Sequence, residues 1–339
     1  MIFKEFPMRC KRLMMGVTAV LFAAPILSGI SQAETFDVVQ QGTVHDALYD
    51  ICFDGKDGLA VGYDGSLLES DNSGKSWKAV SVEIMESITL LSASCDGARR
   101  VVVAQEGNIF IERESTWQAA ESGSSERLLA VDMNQQGLAV AVGGFGAVLR
   151  SKDSGESWET LTFDWETILG DFLEPHLYDV TVDEAGVITL IGEFELIFRS
   201  TDGGETWKTL HTGESSLFSI TLSDSGLGFA VGQDSKILKT VDGGASWETL
   251  TATDNVGGNL LSIWTSSQGE VVITGIRIML RSSDGGLSWQ SSALGDVATN
   301  WYQALASSVP SKKTEQGMPG QEQLYMVGHS GRIVRLTQE

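Results

Sequence analysis

"STDGGETWKTL" occupies residues 200–210, and the chain repeats the phrase: "SDNSGKSWKAV" from Ser70, "SKDSGESWETL" from Ser151, "TVDGGASWETL" from Thr240 and "SSDGGLSWQSS" from Ser282. A catalytic motif is needed once. A phrase that recurs at even intervals belongs to the frame of a repeat protein. Its Trp residues stand at 77, 158, 207, 247 and 289. Trp117 in "FIERESTWQAA" fills the one wide gap, so successive spacings are 40, 41, 49, 40 and 42 residues.

The residues between the phrases separate strands from helices. Ahead of each phrase comes a run such as "GLAVGYDGSLLES" (58–70) or "GFAVGQDSKILKT" (228–240), two β-rich segments around a Gly/Asp turn. Before that comes a further short segment: "LYDICF" (48–53), "LYDVTV" (177–182), "LFSITL" (217–222), "LLSIWT" (260–265). "WKTL" or "WETL" follows the phrase as a fourth. Four strands per unit and no helical period predict an all-β, seven-bladed β-propeller. Its blades fall at about 48–80, 90–120, 128–161, 177–210, 217–250, 260–292 and 301–336. The seventh unit lacks a fourth strand. Residues 34–40, "ETFDVVQ", supply one and close the ring, which removes an open edge.

The phrase S-x-D-x-G-x-x-W then reads as the turn between third and fourth strands. The acceptor position holds Asn72, Asp153, Asp202, Asp242 and Asp284, and the packing aromatic is Trp77, Trp158, Trp207, Trp247 and Trp289. The carboxylate or amide oxygen accepts turn N–H groups, and the Trp covers the hairpin. A calcium loop needs several more oxygens at alternating positions. Blade two departs from the pattern with "ERESTW", two residues short.

The phrase is the Asp-box, or BNR repeat. With "AVG-x-x-G-x-I/L-x-x-S" ahead of it, over residues 35–336, the chain resembles the photosystem II stability/assembly factor family (Ycf48/HCF136-like proteins). The resemblance implies a non-enzymatic scaffold that holds a membrane protein during its biogenesis. Among exported relatives in non-photosynthetic bacteria it implies company with transporters. Photosynthetic members resemble one another in a basic patch, whereas the 12 Arg of this chain are scattered.

The N-terminus reads as an export signal over residues 1–33. Lys4, Arg9, Lys11 and Arg12 precede an apolar run, and Ser31-Gln32-Ala33 offers small residues for cleavage before Glu34. The expectation is a soluble periplasmic or otherwise exported monomer. Cleavage takes the net charge from −22 to −25, since four Lys/Arg and one Glu leave. Such a surface repels nucleic acid and anionic headgroups. A protein partner remains, in an envelope membrane protein or transporter.

The chain predicts no catalytic residue, cofactor or metal. His45, His176, His211 and His329 fall in no ligand spacing, and no G-x-S-x-G elbow occurs. Sialidases also carry Asp-boxes, so a glycan-binding or glycoside-hydrolysing propeller is the alternative. Their Arg cluster is missing here, and a pair of carboxylates among so many acids carries no weight.

A binding face is easier to place. In a propeller, the loop entering each inner strand and the turn between strands two and three share one face. The aromatics predicted there are Phe145, Phe194, Trp301 and Tyr302, with Trp165 and Phe172 in the longest connection, "TFDWETILGDFLEPH" (162–176). Exposed aromatics mark contact sites, although Trp165 and Phe172 can equally tuck against blades three and four. The polar insertion "SSVPSKKTEQGMPGQEQ" (307–323) is expected to be disordered on the opposite face. Cys52 and Cys95 stand one residue out of phase in adjacent inner strands. That offset allows a bridge across blades one and two. Stacked sheets lie about 10 Å apart, wide for a bridge, so buried free thiols are expected despite the oxidising compartment.

Overall fold

Blade one shows how a repeat becomes a sheet. Leu48–Asp54 pairs with Asp57–Gly62, which pairs with Leu67–Ser70, which pairs with Lys78–Ala79, all antiparallel. The computed structural model describes residues 34–338, apart from 97–98, 171–172, 251–256, 267, 293–294 and 309–321. Seven such four-stranded sheets form a β-propeller. The second strands, "AVAVG" at Ala139–Gly143 or "VVITG" at Val271–Gly275, are buried throughout. Neighbouring blades cover both of their faces, so these strands read as continuous apolar runs. The fourth strands are short and exposed, as at Lys78–Ala79 and Glu248–Thr249.

The ring closes as the repeat count requires. Glu34–Gln40 pairs with Ile333–Gln338, which continues through Leu324–Gly328 to Tyr302–Ser307. Phe36 stands opposite Leu336 and Asp37 opposite Arg335, whose Nη2 lies 2.7 Å from the Asp37 carboxylate. Residues 1–33, read from the sequence as an export signal, lie outside the described residues, as does most of the 307–323 insertion.

The repeated phrase forms the expected turn. In blade four, Asp202 Oδ1 accepts from Thr206 N at 2.9 Å and from Ser200 Oγ at 2.8 Å, while Oδ2 accepts from Thr206 Oγ1 at 2.6 Å. Gly204 N donates to Ser200 Oγ at 2.8 Å, and Trp207 Nε1 donates to Gly204 O at 3.0 Å. Gly204 holds φ +86°, where a side chain is strained, and a Cβ there would crowd Arg150. The same set recurs around Asp153 and Trp158 and around Asp242 and Trp247, and at Asn72 and Trp77 with the amide Nδ2 donating to Ser76 Oγ instead. Asp284 binds Ser288 alike, and Trp289 packs edge-on to Phe229.

The turn also joins blades. Tyr325 of blade seven donates its OH to Ser73 O at 2.7 Å, Arg150 of blade three its Nη1 to Gly203 O at 2.7 Å, and Arg199 of blade four its Nη1 to Gly243 O at 2.6 Å. Each Asp-box in these pairs is clasped by the preceding blade. Blade two replaces the phrase with a two-residue hairpin turn, in which Glu114 (φ 48°) and Ser115 (φ 61°) are both left-handed.

Cys52 and Cys95 form a disulfide, with Cα atoms 5.6 Å apart. This overturns the expectation of free thiols. The 10 Å spacing of stacked sheets does not hold at the channel, where inner strands converge. The bridge closes a stretch of 43 residues between blades one and two, worth about 4 kcal/mol in the chain-entropy account.

Two outcomes follow from this architecture. Removing residues 34–41 strips blade seven of its outer strand, and Tm should fall on the order of 10 °C; an unchanged melting curve would refute ring closure by this strand. Replacing Cys52 and Cys95 by Ser should lower stability to chemical denaturation by about 2–4 kcal/mol, and a denatured, unreduced sample should titrate no thiol from this pair.

Candidate interaction face and central channel

Every inner strand carries a bulge after its first residue: the register shifts between Leu48 and Asp50, Leu90 and Ser92, Leu128 and Ala130, Leu177 and Asp179, Leu217 and Ser219, Leu260 and Ser262, and Tyr302 and Ala304. The extra residue leaves the ladder and faces the channel. Tyr49, Leu91, Leu129, Tyr178, Phe218, Leu261 and Gln303 therefore meet around one cavity of about 290 Å³. Tyr178 packs edge-on to Phe218 at 5.2 Å between ring centres.

The face at this mouth is tied together by main chain. In the turn between strands two and three, the first N–H returns to the carbonyl just ahead of the same blade's inner strand. Examples are Tyr63 N to Ala47 O at 2.9 Å, Gly144 N to Arg127 O at 2.9 Å and His329 N to Trp301 O at 3.1 Å. A later N–H reaches the segment entering the next blade: Gly65 N to Ile88 O at 2.7 Å, Gly146 N to Pro175 O at 2.8 Å, Ser235 N to Gly258 O at 2.8 Å. The turn's central residue is left-handed each time, at Asp64, Glu106, Phe145, Phe194, Asp234, Arg277 and Ser330. Turns and entry loops thus share one face, as the sequence reading placed them.

Phe145 is 61% exposed on that face, its ring 5.0 Å from His176. His176 continues to Tyr178 at 6.5 Å, and so to Phe218. Across the mouth, Trp301 stacks on Tyr49 at 6.4 Å and meets His329 edge-on at 6.1 Å. Phe194 is half-buried in its own turn.

Two predicted face residues point inward. Trp165 is only 6% exposed. The short helix Trp165–Leu169 is capped by Asp164, whose Oδ1 accepts from Thr167 N at 3.1 Å, and it turns the indole into a core with Phe163 and Phe198. Tyr302 is 0% exposed, because it takes the first inner-strand position that Leu48, Leu90 and Leu177 hold elsewhere. Phe172 lies outside the described residues. Tyr49, Tyr178 and Phe218 were missed by the sequence reading. Their signal was the aromatic second letter of "LYDICF", "LYDVTV" and "LFSITL".

The next letter of those words sets the electrostatics of the channel. Asp50 Oδ2 accepts from Ala93 N at 2.9 Å and Ser92 Oγ at 2.7 Å, and Asp179 Oδ2 accepts from Ile220 N at 2.9 Å. Asp132 Oδ2 accepts from Val182 N at 2.7 Å, two residues further along the same pattern. Each carboxylate reaches from one blade to an inner-strand N–H of the next. Burial within the ring pushes Asp50 up to about 6 and Asp179 up to about 7, against the lowering effect of these amides. Neighbouring channel carboxylates add to the rise. On the face, Glu195 behaves oppositely. Burial would raise it, but bonds from His211 Nε2 at 3.0 Å and Lys236 Nζ at 2.9 Å prevail and hold it at about 2. Among the described residues no His/Cys/Asp/Glu group is disposed to hold a metal ion.

Residues 210–300 match the family model described as photosynthesis system II assembly factor YCF48, and residues 198–209 match the BNR/Asp-box repeat. No curated protein matches the chain. Among solved structures, YCF48 bound to a D1 peptide is 18% identical, covering 90% of this chain and 97% of its own, with TM-score 0.68. YCF48 from Cyanidioschyzon merolae is 16% identical, covering 88% of this chain and 98% of its own, with TM-score 0.67. The GH74 xyloglucanase from Xanthomonas campestris is 14% identical, covering 89% of this chain but 53% of its own, with TM-score 0.68. At these identities the likeness to solved structures is one of fold.

The raised carboxyls set a pH dependence. Both are protonated more readily in the fold than in the unfolded chain, where an Asp titrates near 3.8. Their contribution to stability is full below that value and is lost as pH rises through about 6 and 7. Tm should therefore decline from pH 5 to pH 8. Asp179→Ser, which installs the residue that blade five carries as Ser219, should flatten the slope; an identical slope in the variant would contradict this assignment.

Proposed function

We propose that this Ycf48-like Asp-box propeller is a non-enzymatic interaction scaffold. It holds a segment of an envelope membrane protein, such as a transporter, while the partner's complex is assembled. Phe145 carries the reading. A bulky side chain in the left-handed region is strained, by about 1–2 kcal/mol for an L-residue, and its ring is left largely in water. A strained, exposed aromatic beside a track of rings supports a contact surface. The protein-binding use of the fold is supported by the YCF48 structure that contains a D1 peptide. Export is supported by the pattern of residues 1–33 and by the Cys52–Cys95 bridge, which persists in oxidising compartments.

The glycan-active alternative gains less from the channel. The carboxylates that burial raises, Asp50 and Asp179, have both oxygens engaged by main-chain amides, Oδ1 by Ile51 N and Val180 N. Such groups hold strands together and are poorly placed to serve as a free acid and base.

Capture from an envelope fraction tests the proposal. The tagged mature protein should retain a discrete membrane-protein partner. A Phe145→Ala/Trp301→Ala double variant should lose most of it while its Tm stays within about 3 °C of the parent. Undiminished capture by the double variant, or loss only on changing Leu287 on the Asp-box side, would overturn the reading. Release of oligosaccharide from a xyloglucan digest would favour the alternative.

A further inference from the structure

On the same face as the channel mouth but outward of it, a groove of about 430 Å³ opens at the seam of blades seven and one. It runs between the end of the closing strand Glu34–Gln40 and the outer strands of blade one. Its walls are apolar at Leu68, Val80 and Val82, and its rim carries Asp46, Asp64 and Glu86. No Lys, Arg or His stands among its described lining residues. The acceptors are held in place. Asp46 is fixed by the Thr43 N–H at 2.5 Å, Asp64 is the left-handed centre of its turn, and Glu86 accepts from Ser81 Oγ at 3.4 Å. None of the three has an ion pair among the described residues. Val44, Tyr63 and Ile84, each beside this rim in sequence, are 77%, 48% and 42% exposed.

We propose that this groove docks a segment of a partner protein that alternates positively charged and apolar side chains. Arg or Lys would meet the three carboxylates while the apolar residues cover Val80, Val82 and the exposed flank. The three-carboxylate rim answers only a cationic occupant, since an anionic or neutral segment leaves those charges desolvated and unpaired. The inference rests on the scaffold reading for its purpose but not for its binding, and the two fail separately.

The probe is a fluorescein-labelled decapeptide of alternating Arg and Leu, followed by anisotropy at 50 and 500 mM NaCl. It should bind and weaken with salt, while the Glu/Leu decapeptide should not bind. An Asp46→Asn/Asp64→Asn/Glu86→Gln variant should bind about tenfold more weakly, as three modest ion pairs would give; Asn tolerates the left-handed site at residue 64. Ser81→Trp, which fills the groove at constant charge, should weaken binding similarly. A control of equal charge change elsewhere, Glu121→Gln/Asp224→Asn/Glu248→Gln, should stay within about twofold. Equal loss in the control, full binding by Ser81→Trp, or an Arg/Ser decapeptide binding as well as Arg/Leu would show long-range attraction alone and overturn the groove. Loss of the probe with envelope capture intact sinks this inference only. The reverse pattern sinks the scaffold reading.

Discussion

Each blade has an inner edge that no further strand can cover, and its outward N–H groups need acceptors. The molecule supplies them from side chains one blade away. Asp50 serves Ala93, Ser92 serves Val131 at 3.3 Å, Asp132 serves Val182, and Asp179 serves Ile220. Because the acceptor at each of these four junctions belongs to the preceding blade, satisfying an edge there also fixes the angle between two blades. The bulges, the disulfide and the aromatic mouth all sit on strands positioned this way. Charged acceptors make stronger bonds than hydroxyls, yet enclosing them is unfavourable. Their raised proton affinities express that balance.

The same directional logic governs the opposite face. There the Asp-box of one blade receives a donor from the blade before it, through Tyr325, Arg150 or Arg199. The blades are therefore linked head to tail at the channel by carboxylates accepting amides, and at the rim by guanidinium and phenol groups donating to carbonyls. The entry-loop face has a third belt made wholly of main chain. Several side chains there, Phe145 among them, take no part in that belt, which is why the face can vary those residues and carry recognition.

What the sequence disclosed follows from how local each feature is. The Asp-box turn is complete within eight residues, so its carboxylate acceptor and packing Trp were legible from "STDGGETW" alone, while the Ser200 Oγ and Trp207 Nε1 bonds were not. Ring closure was legible too, since a missing fourth strand and a spare β segment leave one solution. Trp165 was misplaced because a single capped helical turn decides whether an indole points out or in, and that depends on Phe163 and Phe198 being ready to receive it. Tyr302 was misplaced because it substitutes for Leu at the first inner-strand position, a correspondence visible only when register is counted from the bulge. The Cys pair defied the average sheet spacing because strands near a propeller's axis are not parallel layers.

The closing strand pairs residues separated by almost the whole chain, Thr35 with Thr337 and Phe36 with Leu336. The strand Glu34–Gln40 is thus made long before Ile333–Gln338, the strand it must pair with. At about 5–20 residues per second, some 300 residues of synthesis keep it waiting on the order of 15–60 s. During that time blade seven cannot exist, and a strand carrying Phe36, Val38 and Val39 has no sheet to join. The early bridge between blades one and two is available long before, as soon as Cys95 has emerged. Assembly of this ring therefore has a built-in order: a stapled beginning, blades three to six added in succession, and a final step, completion of blade seven, that must wait for Ile333–Gln338.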